Sequence, residues 1–170
     1  MSNLTVENLA PEQIRSAYPL IREALPGIDL AGWLRFARQN ATARRKGRTG
    51  IIAARRASRP YPCGLFCYRV DQDLEQGRLL IAEHFVAVDL LEPAAVLAAL
   101  VAELDQLGSR LGCNAVRSIV LGTAAEVSGG LSKAGHTATG TLLFKPLTGA
   151  NSLSEASPPR RSLYGSSACA

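Results

Sequence analysis

Residues 81–100 read IAEHFVAVDLLEPAAVLAAL. The segment Leu79–Val88 has the Ile, Leu, Phe and Val content of a buried strand, interrupted by the polar pair Glu83 and His84. Strict alternation along a strand sends Glu83 to one face with Ile81, Phe85 and Ala87, and His84 to the other with Ala82, Val86 and Val88. A short polar break, Asp89–Glu92, leads to Pro93, which suits the first position of a helix. From there Leu97, Leu100, Leu104, Leu107 and Leu111 recur at intervals of three and four, and Gly112 supplies a stop. A strand that turns directly into a helix presents unpaired amides and the positive end of the helix dipole. It is therefore a place where an anion can be held.

Upstream, Leu4–Leu9 reads as a short strand. Ile14, Tyr18, Ile21 and Leu25 give Pro11–Leu25 a helical period, with Pro19 inside it as a kink or a division. A second helix is expected from Leu30 to about Lys46, with Leu30, Trp33, Leu34 and Ala37 on one face. Its cationic last turn complements the dipole. Thr49–Arg56, Gly64–Val70 and Leu79–Val88 follow as three strands joined by SRPYP and DQDLEQG, the pattern of an antiparallel meander. After the Pro93 helix come a strand at Ala115–Leu121, a short helix near Glu126–Lys133 and a last strand at Thr139–Lys145. From residue 148 the chain reads TGANSLSEASPPRRSLYGSSACA, too poor in large apolar groups to offset the entropy of ordering. The expected organisation is one domain over residues 1–147 and a disordered tail over 148–170.

A chain of 170 residues, 47% hydrophobic, builds one core comfortably. Its formal charge of +5 favours anionic partners modestly. The opening MSNLTVENLAPEQ lacks the basic-then-apolar order of a secretory leader, and the apolar run 93–102 is far shorter than the ~20 residues of a membrane helix. The expected compartment is cytoplasmic, with no membrane partner. Cys63, Cys67, Cys113 and Cys169 form no metal-ligand spacing, and Cys63 and Cys67 lie too far apart along one strand face to be bridged. Reduced thiols acting as small hydrophobes are expected, and no metal.

The order β-α-α-β-β-β-α-β-α-β, with HFVAVDLLEPAAVLAAL and LSKAGHTATGTLLFKPL (131–147) at its two diagnostic positions, resembles the GNAT N-acyltransferase superfamily over residues 4–147. The first stretch is similar to that family's fourth strand, turn and cofactor helix, and the second to its closing helix, Lys-x-Gly-aromatic turn and final strand. The fold implied is α/β: a mixed, mostly antiparallel sheet, splayed between strands 4 and 5 and flanked by helices. The cofactor implied is acetyl-CoA or another acyl-CoA. The backbone amides of Val86, Ala87 and Val88 would meet its pantetheine arm, and those of Ala94, Ala95 and Val96 its diphosphate. The activity implied is acyl transfer to an amine acceptor whose identity the sequence does not give, with Glu83 as candidate general base and His84 as a weaker candidate.

Two features depart from the family pattern. Its Arg-Gly-x-Gly-x-Gly falls on Glu92, Pro93, Ala94, Ala95, Val96 and Leu97, so every glycine is gone, Pro93 has no N–H, and Glu92 and Asp89 bring negative charge. The tyrosine that many members use to protonate the leaving thiolate falls near Leu131, and His136 replaces the aromatic after the glycine. Weak acyl-CoA binding is expected on these grounds. The competing expectation is a non-catalytic GNAT-like module that binds a protein partner. For Glu83 the alternative is an ion pair with Arg55, Arg69 or Arg117. For His84 it is a satisfied, partly buried histidine. A third possibility is an anion- or nucleic-acid-binding protein acting through Arg44, Arg45, Lys46, Arg48, Arg55, Arg56 and Arg59. Against nucleic acid, only Tyr61 is close by for stacking and no recognition motif accompanies the charge, so a solvated surface is favoured.

Overall fold

In the computed structural model, residues 4–41, 47–89, 92–120 and 125–145 are described. The chain divides into two units, Met1–Thr137 and Ala138–Ala170. In the first, five strands pair in the order β1-β2-β3-β4-β5: β1 Leu4–Asn8, β2 Thr49–Arg56, β3 Pro62–Asp73, β4 Gly77–Ala87 and β5 Ala115–Ser118. The first three pairings are antiparallel and β4–β5 is parallel. This is the mixed, mostly antiparallel sheet expected. Helices α1 (Tyr18–Ala24) and α2 (Leu30–Ala41) cover one face, and α3 (Pro93–Arg110) and α4 (Ala125–Lys133) the other. No helix among the described residues is long and apolar enough to cross a membrane.

Local chemistry explains the element ends. The expected Pro11–Leu25 helix is divided into a 3₁₀ turn at Pro11–Gln13 and α1, with Pro19 in the first turn of α1, where its missing N–H costs least. Asp29 caps α2, its Oδ1 accepting the Gly32 amide at 2.6 Å. The β3–β4 turn is closed by Asp73, whose carboxylate accepts the Glu75 and Gln76 amides and pairs with Arg117 at 2.7 Å. Those contacts, the Gln76 amide first, hold the Asp73 carboxyl below its ordinary range. The residues expected to prolong α2 to Lys46 lie outside those described.

Each face of the sheet carries its own core. Ile52, Phe66, Leu80 and Ala82 pack under Val96, Leu100, Leu104 and Leu107 of α3 and Leu131 of α4. Ile51, Ala53, Leu65, Cys67 and Val86 pack against Ile21 of α1 and Trp33 and Ala37 of α2. Cys63 and Cys67 are buried and unbridged. Burial, followed by the Glu83 carboxylate, pushes the Cys67 thiol far up, so it stays protonated and inert.

Gly64 sets how closely α3 approaches β3. A Cβ there would stand 2.6 Å from Val96 Cγ1 and 3.0 Å from the Val86 carbonyl oxygen, which the β-ladder holds in place. Gly64→Ala is therefore expected to destabilise the domain by about 1–3 kcal/mol, the range for overpacking. Denaturant unfolding checks this, and an unchanged midpoint would show that α3 moves aside freely.

Two expectations are corrected. Residues 139–145 form no strand. They belong to the second unit, whose described residues 138–145 have no regular structure and expose Leu142, Leu143 and Phe144. Glu83 and His84 do not point to opposite faces. His84 has φ +58°, and the β3–β4 register shifts between Leu65 and Cys67, opposite Glu83–Val86. This is a β-bulge, which inserts one residue and breaks the alternation. Glu83 lies opposite Cys67, which belongs to the α1/α2 core, and the His84 ring stands edge-on to Phe36 of α2 at 6.0 Å. Phe85 turns to the other face and stacks on Phe66 at 5.2 Å. Both polar side chains therefore share the α1/α2 face.

Candidate active site

The β4–β5 ladder covers only Leu79–Ala82, and its last bond runs from the Ile119 amide to the Ala82 carbonyl. β4 continues to Ala87 without β5 beside it, so the sheet opens between them. Val88 N–H donates to the Cys63 carbonyl at 2.8 Å, which places it on the β3 side. Hydrogen-bonded pairs recur every second residue in an antiparallel ladder, so Val86, opposite Leu65, also faces β3, and Ala87 presents its amide to the opening. Of Val86, Ala87 and Val88, only Ala87 turns its amide away from β3 toward the opening.

Two cavities meet at the opening. A groove of about 690 Å³ runs between α3 and α4, lined by small and apolar residues including Ala94, Ala98, Ala102, Gly129 and Gly130, with Asp105, Glu126 and Lys133 as its charged groups. A second cavity of about 470 Å³ lies against the end of α1, lined by Glu23, Ala24, Phe85, Val86, Ala87, Ala125, Glu126 and Val127. Ala87, Glu126 and Val127 line both. Both volumes are in the range of small-molecule sites.

Glu83 and His84 line neither cavity. The Glu83 carboxylate accepts a hydrogen bond from Arg69 at 3.3 Å, the arginine pairing weighed as its structural role. His84 Nδ1 is buried and, among the described residues, has no hydrogen-bond partner. Glu23 and Glu126 were not singled out in the sequence. Glu126 was legible as an acidic residue in the first turn of a helix, but nothing local indicated that this turn ends at the opening of the sheet.

At the start of α3 the Ala95 and Val96 amides donate to the Glu92 carbonyl, as the first turn of a helix does. Asp89 Oδ1 accepts the Glu92 amide at 3.0 Å. Arg56 bonds Asp89 at 2.7 Å and Glu92 at 3.0 Å, and the Asp89 side chain is only 1% exposed. Arg56 is therefore committed to two carboxylates at this turn. The groove along α3 and α4 is lined mainly by small and apolar residues.

The closing motif serves α4 as a cap. Gly135 has φ +94°, and the His136 amide returns to the Leu131 carbonyl at 3.1 Å. Leu131 is buried under α3, so no proton donor stands at that position. Of the basic cluster, the described members have different surroundings. Arg55 pairs with Glu7, Arg56 turns to the α3 entrance and Arg48 is exposed, while Arg44, Arg45 and Lys46 lie outside the described residues.

No protein-family model matches the chain, and no curated protein matches its sequence. Among solved structures it is similar to an aminoglycoside N-acetyltransferase in complex with CoA, with TM-score 0.70, 14% identity, and 87% of this chain and 97% of that one covered. It is similar to glucosamine-6-phosphate N-acetyltransferase from Arabidopsis thaliana, with TM-score 0.68, 11% identity, and 84% and 97% covered. A transcriptional regulator from Bacillus halodurans C-125 superposes with TM-score 0.71, 10% identity, and 85% and 99% covered. The chain has the fold of the GNAT acetyltransferases. Identities this low establish the fold, and activity has to be argued from the site.

Proposed function

We propose that this protein transfers an acyl group from a thioester to an amine. The observation that carries the proposal is the meeting of two cavities at the unpaired end of β4, one apolar and elongated, the other carboxylate-lined. The groove between α3 and α4 would hold the thioester arm, with the Ala87 N–H directed at the carbonyl oxygen, where charge develops during attack. The amine nitrogen forms the new C–N bond and the C–S bond breaks. Glu126, which lines both cavities, accepts the proton given up by the nitrogen, and Glu83 is the alternative acceptor by way of water. The thiolate departs without a protonated side chain at Leu131 to receive it.

Coenzyme A is the donor suggested by the aminoglycoside acetyltransferase complex. Only its pantetheine portion suits the residues present, which supports weak binding. Calorimetric titration of the protein with acetyl-CoA, alongside Ala98→Phe, tests the assignment. Ala98 lines the groove, and a phenyl ring there should abolish binding without loss of the fold. Binding unaffected by Ala98→Phe would place the donor elsewhere. Absence of binding at millimolar acetyl-CoA would favour the second reading, a non-catalytic module, which the acidic entrance to α3 supports.

A further inference from the structure

The strand order ends with β5, whose outer edge pairs with no strand among the described residues. The core on the α3 face is unfinished there. Leu80 of β4 is fully buried, yet its β5 partner Val116, and Val120 just beyond β5, are only half-buried although both pack against that core. The edge carries little that would keep another strand away: it has no proline and no lysine, and its one charge, Arg117, is drawn to Asp73 at 2.7 Å. The second unit holds the complementary feature. Residues 139–145, TGTLLFK, have the composition of a strand and no regular structure. Leu142, Leu143 and Phe144 are 62%, 89% and 87% exposed, whereas the other exposed large apolar residues, Tyr61, Leu74 and Val88, are scattered along the chain. Consecutive apolar side chains held in water mark a contact surface more than isolated ones do.

We propose that residues 139–145 of one copy add as a strand to the free edge of β5 in a second copy, which returns its own 139–145 in exchange. The exchange is reciprocal, so a closed two-fold dimer satisfies both edges and leaves neither segment exposed. Alternation in the added strand sends Leu142 and Phe144 to one face of the sheet and Leu143 to the other. The pairing therefore covers apolar surface on both sides of the edge, the half-buried Val116 and Val120 included, and gives the outward backbone groups of β5 their partners. Reach within one chain is not what leaves the edge open. His136 Nδ1 stands 3.4 Å from Ser118 Oγ at the end of β5, just before the segment begins, and residues 139–145 still form no strand. The proposal is independent of the transferase reading.

Sedimentation of the full chain over a range of concentrations reads the oligomeric state, and amide exchange reads the pairing of residues 139–145. A sample mixing two differently isotope-labelled copies shows which contacts pass between copies. The expected result is a dimer, slow exchange within 139–145, and nuclear Overhauser contacts from Val116 of one copy to Leu142, Leu143 or Phe144 of the other. Leu143→Pro keeps the residue apolar and removes one N–H from the ladder. It should weaken the dimer about 10-fold, the scale of one lost hydrogen bond. Leu143 is exposed in a segment without regular structure, so proline there should leave the rest of the fold intact, which an unchanged circular dichroism spectrum checks. A chain that stays monomeric at its highest soluble concentration would overturn the proposal. So would a monomer with protected 139–145 amides, because the strand would then lie on its own β5. A dimer indifferent to Leu143→Pro, or one without contacts between Val116 and the segment, would place the interface elsewhere and overturn it too.

Discussion

Trp33→Ala is expected to cost the fold about 3–5 kcal/mol, the range for deleting a large aromatic from a packed core. Trp33 is 1% exposed and stands between Ile14, Ile21 and Leu20 of the N-terminal segment and the sheet face of Ile51, Leu65 and Val86. Its indole N–H donates to the Ile14 carbonyl at 2.7 Å, tying α2 to the segment before α1. Its ring lies 6.2 Å from Phe36, which in turn meets His84. The alanine variant loses both the packing and the donor. Trp33→Phe keeps most of the volume and forfeits only the hydrogen bond, so it should cost roughly 1–3 kcal/mol. For a chain of this size the melting temperature moves about 2–4 °C per kcal/mol, giving a drop of roughly 6–20 °C for alanine. Equal losses in the two variants would mean that the Ile14 contact, not the packing, holds α2 in place.

The position of Trp33 was legible because helical periodicity is local: Trp33 and Ala37 share a face in sequence and are buried in the structure. The meander and α3 were legible for the same reason, and β2 falls on the residues its composition marks out. The bulge at His84 was not. Alternation predicts faces only while every residue stays extended, and nothing in the letters EHF signals a left-handed histidine. The segment 139–145 fails for another reason. Its threonine, leucine and phenylalanine fit a pleated surface, but a strand exists only with a partner to bond, and composition cannot supply one. The second cavity was hidden because Glu23 and Glu126, which line it, are about a hundred positions apart. They become neighbours of one hollow only through the β4–β5 pairing that ends at Ala82. At this turn before α3 the sequence departs from the family's glycine pattern, and in the structure Arg56 joins Asp89 and Glu92 there.

That network leads to the second large effect: Glu92→Gln with Pro93→Gly should tighten coenzyme A binding. In the unaltered protein the Glu92 carboxylate stands at the helix start and holds one edge of the Arg56 guanidinium. Pro93 denies the first turn an N–H. Glutamine removes a charge that repels a diphosphate and releases that edge of Arg56, while Asp89 still anchors the other. Glycine restores an amide at the first helical position. One charge-assisted hydrogen bond is worth about 1.5–3 kcal/mol, so the double variant should bind coenzyme A about 10- to 150-fold more tightly. The gain should shrink at high salt, because its source is a charged contact near the surface. Dephosphorylated pantetheine is the control: it lacks the diphosphate and should bind both proteins alike. If both ligands tighten together, the substitutions act on the groove. If neither does, the diphosphate of coenzyme A does not lie at this turn, and the acidic entrance serves to keep nucleotide-bearing thioesters out.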